Sequence, residues 1–340
     1  MKKLFPAVLF LILTVFLHPS TAGAVYRIEV LQAGKNACFE QVYQGIVKGL
    51  EHNGISPEDK VMLSRTVIDV NPAAEPYNWE NLRVLMRIKS AADEIVQRRP
   101  DLVITIGTPA TKFARLKIVG AGIPLVFACV ADPEVVGCLS KTLPGPGFTG
   151  VTVHVDPADV MRVARQGLPA MKKIGLIYSD DDFAVAHSEE IRVRAAELGM
   201  EVVSKQVNLW DSMTPAAEEL ISQGVDTFFI PMDRYYWLKD FEHSKALMKI
   251  SSERKIPCIS SLPGITRGAL LYNESDYSAV GSLTADSAAK ILKHGVRPET
   301  IPVARHEYSI LVDAEAFRKL GIEIPPKLLS RTPRHGNGHS

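Results

Sequence analysis

The sequence predicts an α/β protein built from two parallel-sheet domains in tandem, and three observations carry that expectation. Short β-rich runs alternate with amphipathic helical stretches along the chain, the pattern of parallel sheets covered by helices on both faces. The alternation starts again after "PGPGFTG" (Pro144 to Gly150), and pieces of the two halves echo each other: "PDLVITIGTPA" with "VDTFFIPMDRY", and "IPLVFACVADP" with "IPCISSLPG". The length, 340 residues, exceeds the size at which a single core stops growing, so two domains are expected.

The chain opens "MKKLFPAVLFLILTVFLHPSTAGAV", with two lysines, an apolar run from Leu4 to Leu17, and small residues ending at Ala22-Gly23-Ala24. This reads as a secretory signal over 1–24, cleaved after Ala24. The apolar run is 14 residues, short of the roughly 20 a spanning helix needs. No cysteine follows it closely, so a lipid anchor is not expected. Removing Lys2 and Lys3 from 39 basic residues leaves 37 against 38 acidic ones. A near-neutral chain without a basic block makes nucleic acid an improbable partner.

In the first half the strand-like "YRIEVLQAG" leads to a helix from Cys38 to His52, where Val42, Ile46 and Leu50 make one buried stripe. "VMLSRTVIDV" then leads to Leu82–Arg98, "DLVITIG" to Pro109–Val119, and "IPLVFACV" to a loop. At "GTPAT" we expect Thr108 to cap the helix and Pro109 to take its first position. The free amides of Ala110 and Thr111, with the positive end of the helix dipole, would suit a carboxylate or another acceptor. A capped helix that binds nothing is the plainer reading of that turn. In the second half "KKIGLIYSDDD" leads to a helix near Ser188–Leu198, "EVVSKQV" to Thr214–Gln223, "DTFFIPMD" to Leu238–Glu253, and "IPCISS" to "GALLYN".

Open parallel sheets bind ligands outside the carboxyl ends of their strands. Both halves carry their turns and polar residues there: "AGKNACF", "GTPAT" and "VADP" in the first, "SDDDF", "MDRYYW" and "SSLPG" in the second. Two such edges facing each other would form a cleft.

Read together, "RRPDLVITIGTPA", "IPLVFACVADP", "GFTGVT" and the ending "SILVDAEAFRKLGIEIPPKLLSR" resemble ABC transporter substrate-binding proteins of the type I periplasmic fold. The resemblance is to the family that includes tryptophan- and other aromatic-amino-acid-binding members, and it runs from about Val25 to Arg331. It implies two doubly wound parallel-sheet domains joined by a three-crossover hinge. The first would be 25–152 plus 274–303, the second 153–273 plus 304–330, followed by a polar tail at 331–340. It also implies closure on a small solute and delivery to an ABC permease in the inner membrane, with no chemistry performed. Carried over by position, the family's Thr-Pro-Ala turn falls on Thr108, Pro109 and Ala110, and its Asp-Pro turn on Asp132 and Pro133. Its tyrosine after the first strand of the second domain falls on Tyr178, and its Pro-x-Asp turn on Pro231 and Asp233. Family members often carry an asparagine where this chain has Arg234, and a Ser-Asp pair where "SSLPG" has Ser260 and Ser261. The first turn lacks the usual acid and offers Lys35 and Asn36. Fewer acids and two added cations weaken the case for a free amino group on the solute.

Arg234 and Lys35 could bind an anionic group, Arg234 with two parallel bonds, or could be solvated rim cations. Asp132 and Asp233 could accept from an amine or hydroxyl of the solute, or could simply cap the helix that follows. Phe39, Tyr235, Tyr236 and Trp237 lie beside the expected cleft and could stack on a planar solute. Three consecutive aromatics cannot all face one way on a helix, so at least one belongs to the core. Tyr178 and Asn273 sit at strand ends as candidate donors, or as turn structure. Cys129 and Cys138 could pair across their loop in an oxidising compartment, or be two small buried thiols; Cys38 and Cys258 are undecided.

"GPGFTG" matches G-x-G-x-x-G only formally, because it precedes a strand and opens no helix. The acids of "SDDDF" are consecutive and project apart, which suits a loop or helix cap better than a metal. No nucleophile elbow, P-loop or H-E-x-x-H occurs. The sequence thus points to a monomeric periplasmic solute receptor, not an enzyme, with no metal or cofactor. The alternative is a sensor that presents its closed form to a membrane kinase or chemoreceptor.

Overall fold

The computed structural model describes residues 25–56, 61–70, 79–263 and 268–333. The expected signal at 1–24 and most of the polar tail lie outside them. Among the described residues, no helix is long and apolar enough to cross a membrane.

In the first half the order is β1 (Tyr26–Ala33), α1 (Ala37–His52), β2 (Val61–Ile68), α2 (Trp79–Arg98), β3 (Leu102–Ile106), α3 (Thr108–Gly120), β4 (Leu125–Val130) and β5 (Phe148–Thr152). In the second half α4 (Pro157–Gly167), β6 (Lys173–Ser179), α5 (Asp182–Glu197), β7 (Glu201–Val207), α6 (Met213–Ser222), β8 (Thr227–Ile230), α7 (Leu238–Arg254), β9 (Cys258–Pro263) and β10 (Leu271–Ser275) come next. The chain closes with α8 (Tyr277–His294), β11 (Ala304–Arg305), β12 (Tyr308–Val312), α9 (Ala314–Leu320) and α10 (Pro326–Leu329).

Two six-stranded sheets result, in the orders β11-β5-β4-β3-β1-β2 and β12-β10-β9-β8-β6-β7. Apart from the antiparallel β10–β12 pair, every pairing of named strands is parallel. The fold is therefore the doubly wound α/β pair the sequence predicts. The chain passes between the sheets three times: after β5, after β10, and between β11 and β12. Glu274 and Ser275 pair in the second sheet, and Ala304 and Arg305 in the first, so the last two crossings come slightly later than positions 274 and 304.

Each sheet is apolar on both faces because each face carries helices. In the first sheet Ile28, Val30, Ile104 and Val126 face one cluster with Val42, Ile46 and Leu50 of α1 and Val280, Ala285 and Ala288 of α8. Leu31, Val103, Leu125 and Phe127 face the other, with Ile88 of α2 and Ala114 and Ile118 of α3. α1 and α8 touch through backbone. An added Cβ at Gly281 would stand 2.1 Å from the Val42 carbonyl oxygen, and one at Gly45 would stand 2.2 Å from that of Ser278. The second sheet has matching clusters, one with α4, α5 and α9, the other with α6 and α7.

Two expectations need correcting. The helix placed near Ser188–Leu198 starts at Asp182, because the Asp181 carboxylate accepts from the Phe183 amide at 3.1 Å and caps it. Cys129 and Cys138 do not pair; both are free cysteines. A bulge between Ala128 and Val130, with Cys129 at φ 57°, turns Cys129 into the α1–α8 cluster, whereas Cys138 packs into the α2–α3 cluster on the other face.

Candidate functional site

In the first domain the carboxyl edge is built mainly by backbone. Gly107, at φ 92°, is the residue before α3, and an added Cβ there would stand 2.9 Å from Phe39 Cζ. Only glycine permits both the turn and the ring lying across it. Gly107, not Thr108, is therefore the cap residue, with no side-chain cap bond; Thr108 is the first residue of the helix and Pro109 the second. The Thr108 and Ala110 amides fall in the turn whose N–H groups lack intrahelical acceptors. Thr111 Oγ1 lies 2.8 Å from Thr105 Oγ1 and donates to the Gly107 carbonyl at 3.0 Å, fixing the helix start to β3. Ala110 is fully buried beneath this turn.

The other expected residues on this side are partly committed. Asn36 caps α1, its Oδ1 accepting from the Phe39 amide at 2.8 Å. Lys35 pairs with Asp69 at 3.7 Å, both well exposed, which makes it a rim cation. Asp132 is buried, accepts from the Glu134 amide at 2.9 Å and pairs with Lys141 at 2.7 Å. It caps a turn and not the helix expected after it, since no helix lies between β4 and β5.

On the second domain the polar residues hold one another. Asp233, 1% exposed, accepts from the Ser179 amide at 2.6 Å, from Ser179 Oγ at 2.9 Å and from the Tyr235 amide at 2.9 Å. It welds the end of β6 to that of β8. Burial outweighs these donors and raises its carboxyl to about 6. Arg234 Nε lies 3.1 Å from Asp181, so the cation is steadied at the mouth of the second domain. Tyr235 belongs to the core and not to the cleft: it is fully buried, its hydroxyl donates to the Asp211 carbonyl at 2.8 Å, and its ring stacks on His243. Tyr236 is likewise core, donating to the Ile177 carbonyl.

Three further expectations are reassigned in the same way. The Tyr178 hydroxyl accepts from Arg192, which also reaches Ser204 of β7; that ties it to the flank of the sheet. Asn273 Nδ2 donates to the Ser261 carbonyl and its Oδ1 accepts from Ser275, so it joins β10 to β9. Ser260 Oγ accepts from the Leu262 amide at 2.9 Å. Ser261 is fully buried, and its hydroxyl has no partner among the described residues.

Contacts between the domains involve residues the sequence reading passed over. Lys112 of α3 meets Asp182 of α5 at 3.4 Å. Lys141 of the first domain lies 4.0 Å from Glu190 of α5, and both Glu190 oxygens lie 3.0 Å from His154 Nε2 in the first crossover. Arg194, a turn further along α5, pairs with Asp156 of the same crossover at 3.4 Å. Burial alone would raise the Glu190 carboxyl, but hydrogen bonding from His154 and the charges of His154 and Lys141 hold it below its usual range. Ala131, His154, Val155, Phe183, His187, Met232 and Ser261 together line a cavity of about 10 Å³ at the hinge end of the gap. A wider open groove of about 570 Å³ lies at the hinge, bounded by Asp159, Arg162, Arg305, Tyr308 and Arg331; Asp159 there already pairs with Arg162, Arg305 and the Tyr308 hydroxyl. Spacing along α5 puts His187, Glu190 and Arg194 on one stripe, but nothing in the sequence says that this stripe covers a crossover.

A family model described as ABC transporter substrate binding protein matches residues 27–335. No curated protein matches the sequence. Among solved structures, the ligand-free, open structure of a substrate binding protein with adhesive properties from Clostridium difficile is 22% identical, covers 91% of this chain and 98% of its own, and superposes with a TM-score of 0.71. An ABC domain from Streptococcus pneumoniae in complex with L-Trp is also 22% identical, with coverage of 91% and 99% and a TM-score of 0.67. A leucine binding protein from Thermotoga maritima is 13% identical, with coverage of 81% and 85% and a TM-score of 0.56. At these identities the likeness is one of fold.

Proposed function

We propose a solute-receptor role for this chain, which belongs to the family of ABC transporter substrate-binding proteins. The family is one of solute-binding proteins, not enzymes. On our reading the chain is exported by a cleaved N-terminal signal, works in the periplasm as a monomer, closes its two domains on a small solute, and hands that solute to a membrane permease. The solute we favour is an amino acid or small carboxylate with a planar or apolar part.

The observation that carries this reading is that the carboxyl ends of the two sheets meet: Ala131, just after β4, lines one cavity with Phe183, Met232 and Ser261 of the second domain, and Lys112 of α3 pairs with Asp182 of α5. The Gly107 turn offers first-turn amides beside Phe39, and Arg234 and Phe183 stand at the matching edge of the second domain. Amides at a helix start and a steadied guanidinium both suit a carboxylate. The aromatic rings suit an apolar body. The Lys112–Asp182 and Lys141–Glu190 pairs join the first domain to α5 of the second, contacts that suit a hinged clamp.

A thermal-shift scan of the protein from Val25 onward, against amino acids, small carboxylates, purines and sugars, tests this. A solute at 100 times its Kd adds about 2.7 kcal/mol, a rise of several degrees in Tm. We expect a hit among amino acids or carboxylates that Arg234→Ala weakens at least tenfold. Binding of neutral sugars alone, or silence from a folded protein across the panel, would overturn the assignment.

A further inference from the structure

Resting on the receptor reading, we infer that the small cavity at the hinge end of the cleft is a subsite that reads one uncharged hydroxyl of the solute, through Ser261 Oγ and His187 Nε2. Ser261 is 0% exposed and its hydroxyl has no partner among the described residues. A buried, unsatisfied hydroxyl carries a desolvation penalty that a partner would relieve. Its neighbours show that this is not a general feature of the strand end. Ser260 Oγ accepts from the Leu262 amide, and the Ser261 carbonyl accepts from Asn273. Of the described polar groups at this strand end, the Ser261 hydroxyl is the one left uncommitted, and Ser261 lines the cavity.

His187 lines the same cavity and is 4% exposed. Its Nδ1 lies 2.9 Å from the Met232 amide. A backbone amide can only donate, so Nδ1 is the acceptor and the ring proton sits on Nε2. Burial pushes the imidazole down to about 4, which keeps that ring neutral in ordinary buffers. The other imidazole at the cavity, His154, has its Nε2 occupied by Glu190. The remaining walls are Ala131, Val155, Met232 and Phe183, whose ring lies parallel to that of His187 at 6.1 Å.

A neutral N–H, a hydroxyl that can donate or accept, and apolar walls select an uncharged group that can do both. A hydroxyl accepts from His187 Nε2 and exchanges a second bond with Ser261. A carboxylate there would gain two neutral donors but bring a full charge into mostly apolar walls that face Glu190 behind His154, and an ammonium would face an imidazole whose lone pair is already used. At about 10 Å³ the space takes one oxygen and no larger group; in the absence of solute it suits one water. The body of the solute would then extend past Phe183 toward the Gly107 turn and Arg234.

Matched solute pairs test this by calorimetry: L-tyrosine against L-phenylalanine, and 4-hydroxybenzoate against benzoate. We expect the hydroxylated member of at least one pair to bind wild type at least tenfold more tightly. In Ser261→Ala that ratio should fall below about threefold, with the affinity for the unhydroxylated member preserved. If Ser261→Ala does not fold, Ser261→Cys keeps the volume and weakens the bond, and should lower the ratio. Equal affinities within each pair in wild type, or a ratio unchanged by either variant, would overturn the subsite and leave the receptor reading intact. Failure of all four probes to bind would overturn the subsite's solute class, while the wider thermal-shift panel decides the receptor role separately.

Discussion

The two domains share one winding order, yet they build their cleft edges from different material. The first uses backbone: a glycine turn, first-turn amides and a ring laid over them. The second uses side chains that bind one another, Asp233 with Ser179 and Asp181 with Arg234. An edge made of backbone leaves its donors free for a solute, whereas an edge made of paired side chains has spent most of its own. The second domain therefore brings few uncommitted polar groups to the cleft, and the Ser261 hydroxyl stands out for that reason.

The domains also differ in how their helices meet. α1 and α8 of the first domain touch backbone to backbone at Gly281, where an added Cβ would meet the Val42 carbonyl oxygen at 2.1 Å and the Ile46 nitrogen at 2.7 Å. In the second domain Gly167 of α4 faces the end of the Phe317 ring at 3.1 Å. Backbone cannot yield as a side chain can, so we expect Gly281→Ala to cost about 3 kcal/mol and Gly167→Ala less than about 1 kcal/mol. Urea unfolding of both variants checks this, and equal losses would break the contrast.

The second-largest effect should come from pH. His187 is held near 4 by burial, so below its ordinary pKa of about 6.5 the unfolded chain takes a proton that the folded one refuses. Stability is thus lost as pH falls from about 6.5 to about 4, by at most about 3 kcal/mol. Asp233, raised to about 6, acts in the opposite sense, because the penalty of its buried charge is relieved as pH falls through that value. The stability advantage of wild type over His187→Gln should therefore shrink on acidification to pH 4. An advantage that stays flat would show that His187 is not buried neutral.

Next come the two capping acids. Asp233→Ala leaves three buried donors without an acceptor, and we expect a loss of about 2–3 kcal/mol. Asp132→Ala removes one amide bond and an ion pair to the part-exposed Lys141, for about 1 kcal/mol. The smallest effect should be at the hinge. Glu190→Gln keeps the shape but weakens the links to His154 and Lys141. It should lower solute affinity by three- to tenfold through a less favoured closed form, with Tm within a few degrees of wild type. A variant with unchanged affinity and an unchanged dissociation rate would remove this cluster from the closing motion.

Much of the fold was legible because hydrophobic period and turn chemistry are local. Val42, Ile46 and Leu50 announce α1, and "DLVITIG" announces β3 followed by a turn. The antiparallel β12 was not legible. Its partner β10 is separated from it in sequence by the whole of α8 and by β11, which lies in the other sheet and is only two residues long. The site was harder for a physical reason. A polar residue at a strand end looks the same in sequence whether it waits for a solute or is held by a neighbour. Asp233, Tyr178 and Asn273 are held, and the residue that fixes each of them lies 12 or more positions away. Tyr235 was misplaced because adjacent aromatics compete for one core, and the 3-10 turn at Arg234–Tyr236 directs both tyrosines inward. His154, Lys141 and Glu190 meet only once the first crossover is formed, and no spacing signals that.

Closure of the two domains on one solute is tested by solution scattering of the protein from Val25 onward, titrated with the strongest binder of the panel. Closure requires the radius of gyration to fall and to saturate with the Kd that calorimetry gives for the same solute. A solute that binds stoichiometrically while the scattering curve stays unchanged would contradict it.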